Sequence, residues 1–295
     1  MLVRRTALAS LLPALLLAGC AAAGSEPDQQ DAPSLSVDED LHALLPADVR
    51  ERGVLRIGTD PSYAPMSSYG EDGRTIVGME PDLGDALGDV LGVDVRFVDT
   101  DFTTILPDVD TGRLDLGMSA MTDTPERAEQ VDFVNYFSAG TSILVQRGNP
   151  AGVFELEDLC GKVAAVEKGT TQVDLLDRAQ GRCDDEPIDV RTYGTNSDAL
   201  VQLRTGRAAA VLNDLPPAAL LVTDPDTKAN YQLASTAQLE PGLYGVAVDK
   251  DLPGLRDAVQ AALEVLVDRG VYADVLAHWG VEDGAVQDVT VNSGR

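Results

Sequence analysis

The sequence predicts an α/β fold in two lobes, the second inserted into the first. Short apolar runs alternate with helix-length amphipathic stretches, the pattern of βαβ units on a parallel sheet. The alternation starts twice, at Val54 and again at Lys162. Apolar segments near 141–146 and 242–248 lead out of the first series and back into it. Two such crossings would form a hinge.

Taken in order, Arg4 and Arg5 precede an apolar run from Ala7 to Ala18 that closes on Leu16-Leu17-Ala18-Gly19-Cys20. A charged start, a short apolar region and small residues before the cut describe a secretory signal over 1–19 rather than a membrane span. The small-small-Cys ending resembles a lipobox, which implies a lipid on Cys20 and attachment to the outer face of the cytoplasmic membrane. Residues 20–46 are rich in Ala, Ser, Pro, Asp and Gln without apolar periodicity and read as a flexible tether.

Val54 to Thr59 is the first strand, followed by a proline-broken loop from Asp60 to Met66. Gly78-Met79-Glu80-Pro81-Asp82-Leu83 opens a helix reaching about Leu91, with Pro81 near its first position. Val93–Val98 reads as a strand, Phe102–Asp110 as a helix and Leu114–Met118 as a strand. After Phe133–Phe137 a strand over Thr141–Gln146 leads into the second series. There, Lys162–Val166, Ile188–Tyr193, Ala208–Leu212 and Tyr231–Leu233 are strands. Helices open at Gly169-Thr170-Thr171-Gln172, at Ser197 and at Pro216-Pro217. Leu243–Val248 is a strand again, and helices over 255–267 and 271–278 close the body. The expected division is 47–141 with 246–281 as lobe 1, 142–245 as lobe 2, and 282–295 as a tail.

In parallel sheets ligands sit beyond the carboxyl ends of the strands, which makes Asp60, Phe102 and the Ser119–Arg127 loop candidates for a binding rim. Asp123 or Thr124 is a suitable N-cap with Pro125 in the first helical position, so the spacing predicts a helix with Arg127 in its first turn. A cation opposes the helix dipole there, and an anion held by N–H groups, hydroxyls and a guanidinium together suits the place.

Composition narrows the function. A formal charge of -27 and a pI near 4.1 argue against nucleic acid or anionic membrane surface as partner. His42 and His278 lie far apart without Cys or His companions, so no metal is expected. There is no GxGxxG, P-loop or GxSxG sequence, and no cofactor is expected. Cys160 and Cys183 read as a disulfide inside the second lobe of an exported chain, the alternative being two buried thiols.

The motifs Gly58-Thr59-Asp60 with Tyr63-Ala64-Pro65, Gly78 to Leu83, Ser119 to Arg127 running on to Val131-Asp132-Phe133, and Gly169-Thr170-Thr171-Gln172 with Asn213-Asp214 occur in an order and spacing that resemble the family 3 extracellular solute-binding proteins, the polar amino-acid receptors of ABC importers. The resemblance runs from about Val54 to Gly280. It implies the type II periplasmic-binding-protein fold, a monomer with two lobes closing over an amino acid, and an ABC permease as partner. It implies a carboxylate clamp at Arg127 and Thr122, completed from the second lobe by Thr170 and Thr171. Asp214 would accept from the ligand's α-ammonium, as would the main chain of Ser119 and Ala120. Asp60, Tyr63 and Phe102 would line the side-chain pocket.

Plainer readings stand beside these: Asp214 as a helix N-cap, Phe102 as core, Asp60 and Tyr63 as turn residues. The chain also departs from the family's usual pattern at Met66, Ala120 and Glu167. A second acid at Glu167 beside Asp60 would favour a cationic side chain or simply face solvent. Two other functions fit the resemblance less well. A dehydratase of prephenate-like acids would use Glu167 or Asp60 as general acid, and a sensory module would need a separate output partner.

Overall fold

The structure, a computed structural model, describes residues 35–294. The predicted signal with Cys20 and most of the predicted tether lie outside them. The tether's last stretch departs from expectation. It folds as helix α1 (Glu39–Leu44), because Asp38 accepts from the N–H groups of Asp40 and Leu41 and caps the first turn. Leu45 is then fully buried, and His42 Nδ1 lies 2.8 Å from the Leu91 carbonyl oxygen. Six residues are fewer than two helical turns, so the segment leaves no period to read.

Helix α2 (Ala47–Arg52) ends at Gly53 and leads into β1 (Val54–Thr59). The proline-broken loop that follows contains a small antiparallel sheet of β2 (Ser62–Tyr63), β3 (Ser67–Tyr69) and β4 (Ile76–Val77). Helix α3 (Met79–Leu91) carries Met79, Leu83, Ala86, Leu87, Val90 and Leu91 on its buried face, the three-to-four spacing of an amphipathic helix. Next come β5 (Asp94–Asp99), a single 3-10 turn at Phe102–Thr104, α4 (Ile105–Asp110) and the two-residue β6 (Leu116–Gly117). The stretch read as two segments around 133–146 is one strand, β7 (Val131–Gln146), because Ser138 and Gly140 interrupt the apolar run without interrupting the ladder.

The second series is β8 (Val163–Glu167), α5 (Thr171–Ala179), β9 (Asp189–Tyr193), α6 (Asn196–Arg204), β10 (Ala210–Asp214), α7 (Leu215–Thr223) and β11 (Tyr231–Leu233). The chain returns along β12 (Leu239–Asp249) to α8 (Pro253–Asp268) and α9 (Val271–Trp279). The predicted tail is also structured, with β13 (Ala285–Val291) pairing antiparallel with β7. Its valines sit among polar residues, so the run looks solvated until Val289 is buried against the body.

One curled sheet of order β5-β1-β6-β12-β7-β10-β8-β9 runs through both lobes, with β11 and β13 also on β7. Pairs β5-β1-β6 and β10-β8-β9 are parallel, while β7 and β12 pair antiparallel from Leu239↔Thr141 to Asp249↔Val131. Buried side chains cluster on both sides of each half: β1, α3, α8 and α9 build one core and Ile105 to Phe133 another. Those of 143–212 and 144–231 lie on the two faces of the second half. The chain passes between these halves twice, along β7 and along β12. A disulfide joins Cys160 to Cys183, with Cα atoms 5.5 Å apart. No described helix is long and apolar enough to cross a membrane.

Candidate functional site

Four strands, β1, β6, β8 and β10, end at one cavity between the lobes. Every residue singled out from the sequence for the ligand lines it. Two more join them, Glu167 at the end of β8 and Gln172 in the first turn of α5.

The cationic side is built around Arg127, though not as expected. No α-helix follows Pro125; only a 3-10 turn at Arg127–Glu129 precedes β7, and three residues carry no useful macrodipole. Thr124 Oγ1 still accepts from the Arg127 N–H at 3.3 Å. The guanidinium is instead fixed by the Thr122 carbonyl at 2.7 Å and the Gly169 carbonyl of the opposite lobe at 3.0 Å. Its central carbon lies 5.5 Å from the centre of the Phe102 ring, within reach of a cation–π contact. Arg127 as a whole is half-buried and lines the cavity. Burial pulls its pKa down to about 10, opposed by Asp174, Asp214 and Glu126, so it stays charged at neutral pH.

Facing Arg127, Thr170 is the extended N-cap residue of α5. Its hydroxyl donates to the Glu167 carbonyl at 2.8 Å rather than capping the helix. The first-turn N–H groups of a helix have no carbonyl partner within it, and Thr171 opens that turn at the cavity.

Asp214 lies on the far side. It occupies the N-cap position of α7, yet its side chain makes no capping bond. Asp214 Oδ1 accepts from Gln172 Nε2 at 2.7 Å and Oδ2 from the Tyr63 hydroxyl at 3.1 Å. Tyr63 Oη in turn accepts from the Asp214 N–H at 2.9 Å, so this tyrosine of the first lobe bridges to the second. Burial pushes the carboxyl of Asp214 up to about 6, and it remains largely ionised at neutral pH.

Ser119 Oγ accepts from the Asp60 N–H at 3.0 Å. Ala120 adopts φ 46°, a left-handed turn that an L residue enters only under constraint. The constraint is Glu80, wholly buried, which accepts from the Ala120 N–H at 2.5 Å, from Ser67 Oγ at 2.8 Å and from the Tyr136 hydroxyl. Sequence reading assigned no role to Glu80 or Gln172. A glutamate set into an otherwise apolar helix face was the available signal for the first, and an amide in the first turn of a rim helix for the second.

The remaining wall is acidic. Asp60 and Glu167 are 5% and 6% exposed and come from opposite lobes. Burial, with Asp60 close by, pushes Glu167 up to about 9, and burial also raises Asp60. Met66 does not share the cavity; it is fully buried in the first core. Among the described residues no group of three or more metal-binding side chains converges.

This geometry has relatives. Residues 55–282 match the family model of bacterial extracellular solute-binding proteins, family 3. The arginine-binding protein ArgT of Corynebacterium glutamicum is 30% identical over 257 residues, covering 86% of this chain and 83% of that protein. The L-cystine-binding protein TcyJ of Escherichia coli K12 is 31% identical over 78% of this chain and 84% of its own length. Among solved structures, an ancestral arginine-binding protein bound to arginine superposes with a TM-score of 0.72 at 33% identity, covering 77% of this chain and 98% of that one. The ancestral amino acid-binding protein AncCDT-1, a precursor of cyclohexadienyl dehydratase, reaches 0.70 at 33% identity over 79% and 97%. With the two-lobe α/β fold, these place the chain in the family 3 bacterial extracellular solute-binding proteins.

Proposed function

We propose that the chain is the extracytoplasmic receptor of an ABC importer and binds a polar amino acid between its lobes. One observation carries the reading: Arg127 and Asp214, on opposite lobes, face the same cavity, and no salt bridge engages either among the described residues. A zwitterion has a carboxylate for the first and an ammonium for the second. In this reading Arg127 and Thr122 hold the carboxylate together with Thr170 and Thr171. Asp214 takes the ammonium, aided by the main chain at Ser119 and Ala120. Tyr63, Phe102 and Asp60 surround the side chain. Each charged group alone binds weakly in water; the lobes desolvate both ends together. Relatives named for arginine, cystine and glutamine support a polar amino acid, cationic side chains included. The lipobox-like ending at Cys20 supports a receptor tethered by a lipid there, delivering as a monomer to a permease in the same membrane. Native mass spectrometry of the purified protein is expected to find a bound amino acid or to take one up from a mixture of the twenty; a protein that takes up none contradicts the proposal.

A second reading is favoured by Glu167, whose carboxyl burial pushes up to about 9. A neutral carboxylic acid lining the same cavity as a carboxylate-binding arginine suits a dehydratase of prephenate-like acids. The ammonium site at Asp214 serves no purpose for a substrate lacking an amine. Formation of phenylpyruvate from prephenate would favour this reading, and its absence the receptor.

A further inference from the structure

The acidic wall of the cavity exceeds what a zwitterion requires. Three carboxyls line it, Asp60, Glu167 and Asp214, against one cation, Arg127. On the receptor reading above, on which this inference rests, the ligand's α-carboxylate answers Arg127 and its α-ammonium answers Asp214. Asp60 and Glu167 are left over. They come from the ends of β1 and β8, line the same cavity and are both buried, close enough that each carboxyl acts on the other. Asp60 is anchored, accepting from the Ser62 N–H at 2.9 Å. Glu167 is not: its Oε1 is fully buried and has no hydrogen-bond partner among the described residues. A buried carboxyl oxygen without a donor is costly, and a donor on a ligand in this cavity would satisfy it.

We propose that Glu167 is a specificity-determining residue: paired with Asp60 through a single shared proton, it exchanges that proton for the cationic end of a ligand's side chain. A dibasic amino acid therefore enters with release of about one proton, whereas a neutral amino acid leaves the proton in place. Two carboxyls desolvated together keep one proton between them, because two anions in contact repel. An ammonium or guanidinium neutralises both and removes the need for it.

The surroundings act in the same direction. Asp101, at the start of the Phe102–Thr104 turn, and Asp214 face Glu167 from two elements, and Asp99 acts on Asp60. Tyr63 presents a hydroxyl with no positive charge. Tyr193 is in register with Glu167 on β9, and exposed Lys168 follows it in the chain. Arg127 is the one cation lining the cavity and is committed to the α-carboxylate. Nothing else there stabilises a second anion, and burial holds Glu167 near 9.

Calorimetry of the full chain at pH 7 with L-arginine and its neutral isostere L-citrulline, each in two buffers of different ionisation enthalpy, counts the protons released. The expected count is about one for arginine. Citrulline should release close to none or bind too weakly to measure. Between pH 7 and 8, above the range in which Asp214 titrates, arginine binding should tighten by up to tenfold per pH unit, the limit for release of one proton. Glu167→Gln should abolish the release and flatten that slope while arginine still binds. Because the wild-type count needs no variant, a misfolded Glu167→Gln leaves the test intact. Arginine binding without proton release, or equal release from Glu167→Gln, overturns the inference and leaves the receptor reading standing. Binding of no amino acid at all overturns both.

Discussion

On the proposed reading, Asp214 carries the charge opposite Arg127, and its titration is expected to set the acid limit of binding. Its carboxyl is raised to about 6 by burial, and only the ionised form neutralises an ammonium. Affinity for a neutral amino acid such as glutamine should be level from pH 7 to 8 and fall by up to tenfold per unit below about 6. Asp214→Asn should bind weakly at every pH without that slope, as read by calorimetry at pH 5, 6 and 7. Glu167 governs stability instead. Its folded pKa of about 9 exceeds the unfolded value of 4.5. Its contribution is therefore complete below pH 4.5 and lost as pH rises through 9, by up to about 1.4 kcal/mol per unit. Denaturant unfolding of the ligand-free protein should find Glu167→Gln more stable than wild type at pH 8 and near-equal at pH 4.5. Equal stability at pH 8 would mean that Glu167 is not holding a proton.

At the scale of elements, the α5 entry brings the lobes together. Gly169 has φ 80°, and a Cβ there would lie 2.9 Å from Thr103 Cγ2 across the cleft. Gly169→Ala should weaken ligand binding by about 1 kcal/mol or more through backbone strain and the clash at closure, measured by titration with the protein's own ligand. The Cys160–Cys183 bridge closes a 23-residue interval inside the second lobe, worth about 3 kcal/mol on the chain-entropy account. Cys160→Ser with Cys183→Ser should lower unfolding stability by that order with binding intact. Elements with a clear period were legible in the sequence: α3, α8 and the strands of both series stand within a few residues of expectation. The helix assigned after Pro125 was not, because Thr-Pro-Glu-Arg reads as a helix start while Val131-Asp132-Phe133 begins a strand four residues after Arg127 and leaves no room. Helix α1 and strand β13 are stabilised by docking on the body, which local pattern does not record.

For the molecule as a whole, the cavity is closed by bonds between the lobes: Tyr63 with Asp214, Arg127 with Gly169, and the Asn196 N–H donating to Ser62 Oγ at 3.2 Å. The residues of the candidate site were named from motifs and strand ends, and they converge on one cavity. The inward aim of Glu167 and Gln172 and the support of Ala120 by Glu80 were not legible, since each depends on partners 40 or more residues away. The central claim is that Arg127 and Asp214 grip the two ends of a free amino acid. Its most direct test is calorimetric titration of wild type and Arg127→Ala with the twenty amino acids at pH 7.5. The account predicts at least one tight ligand whose binding weakens by about 3–5 kcal/mol in Arg127→Ala, where a buried carboxylate loses its partner. No binding by wild type, or undiminished binding by Arg127→Ala, would contradict it.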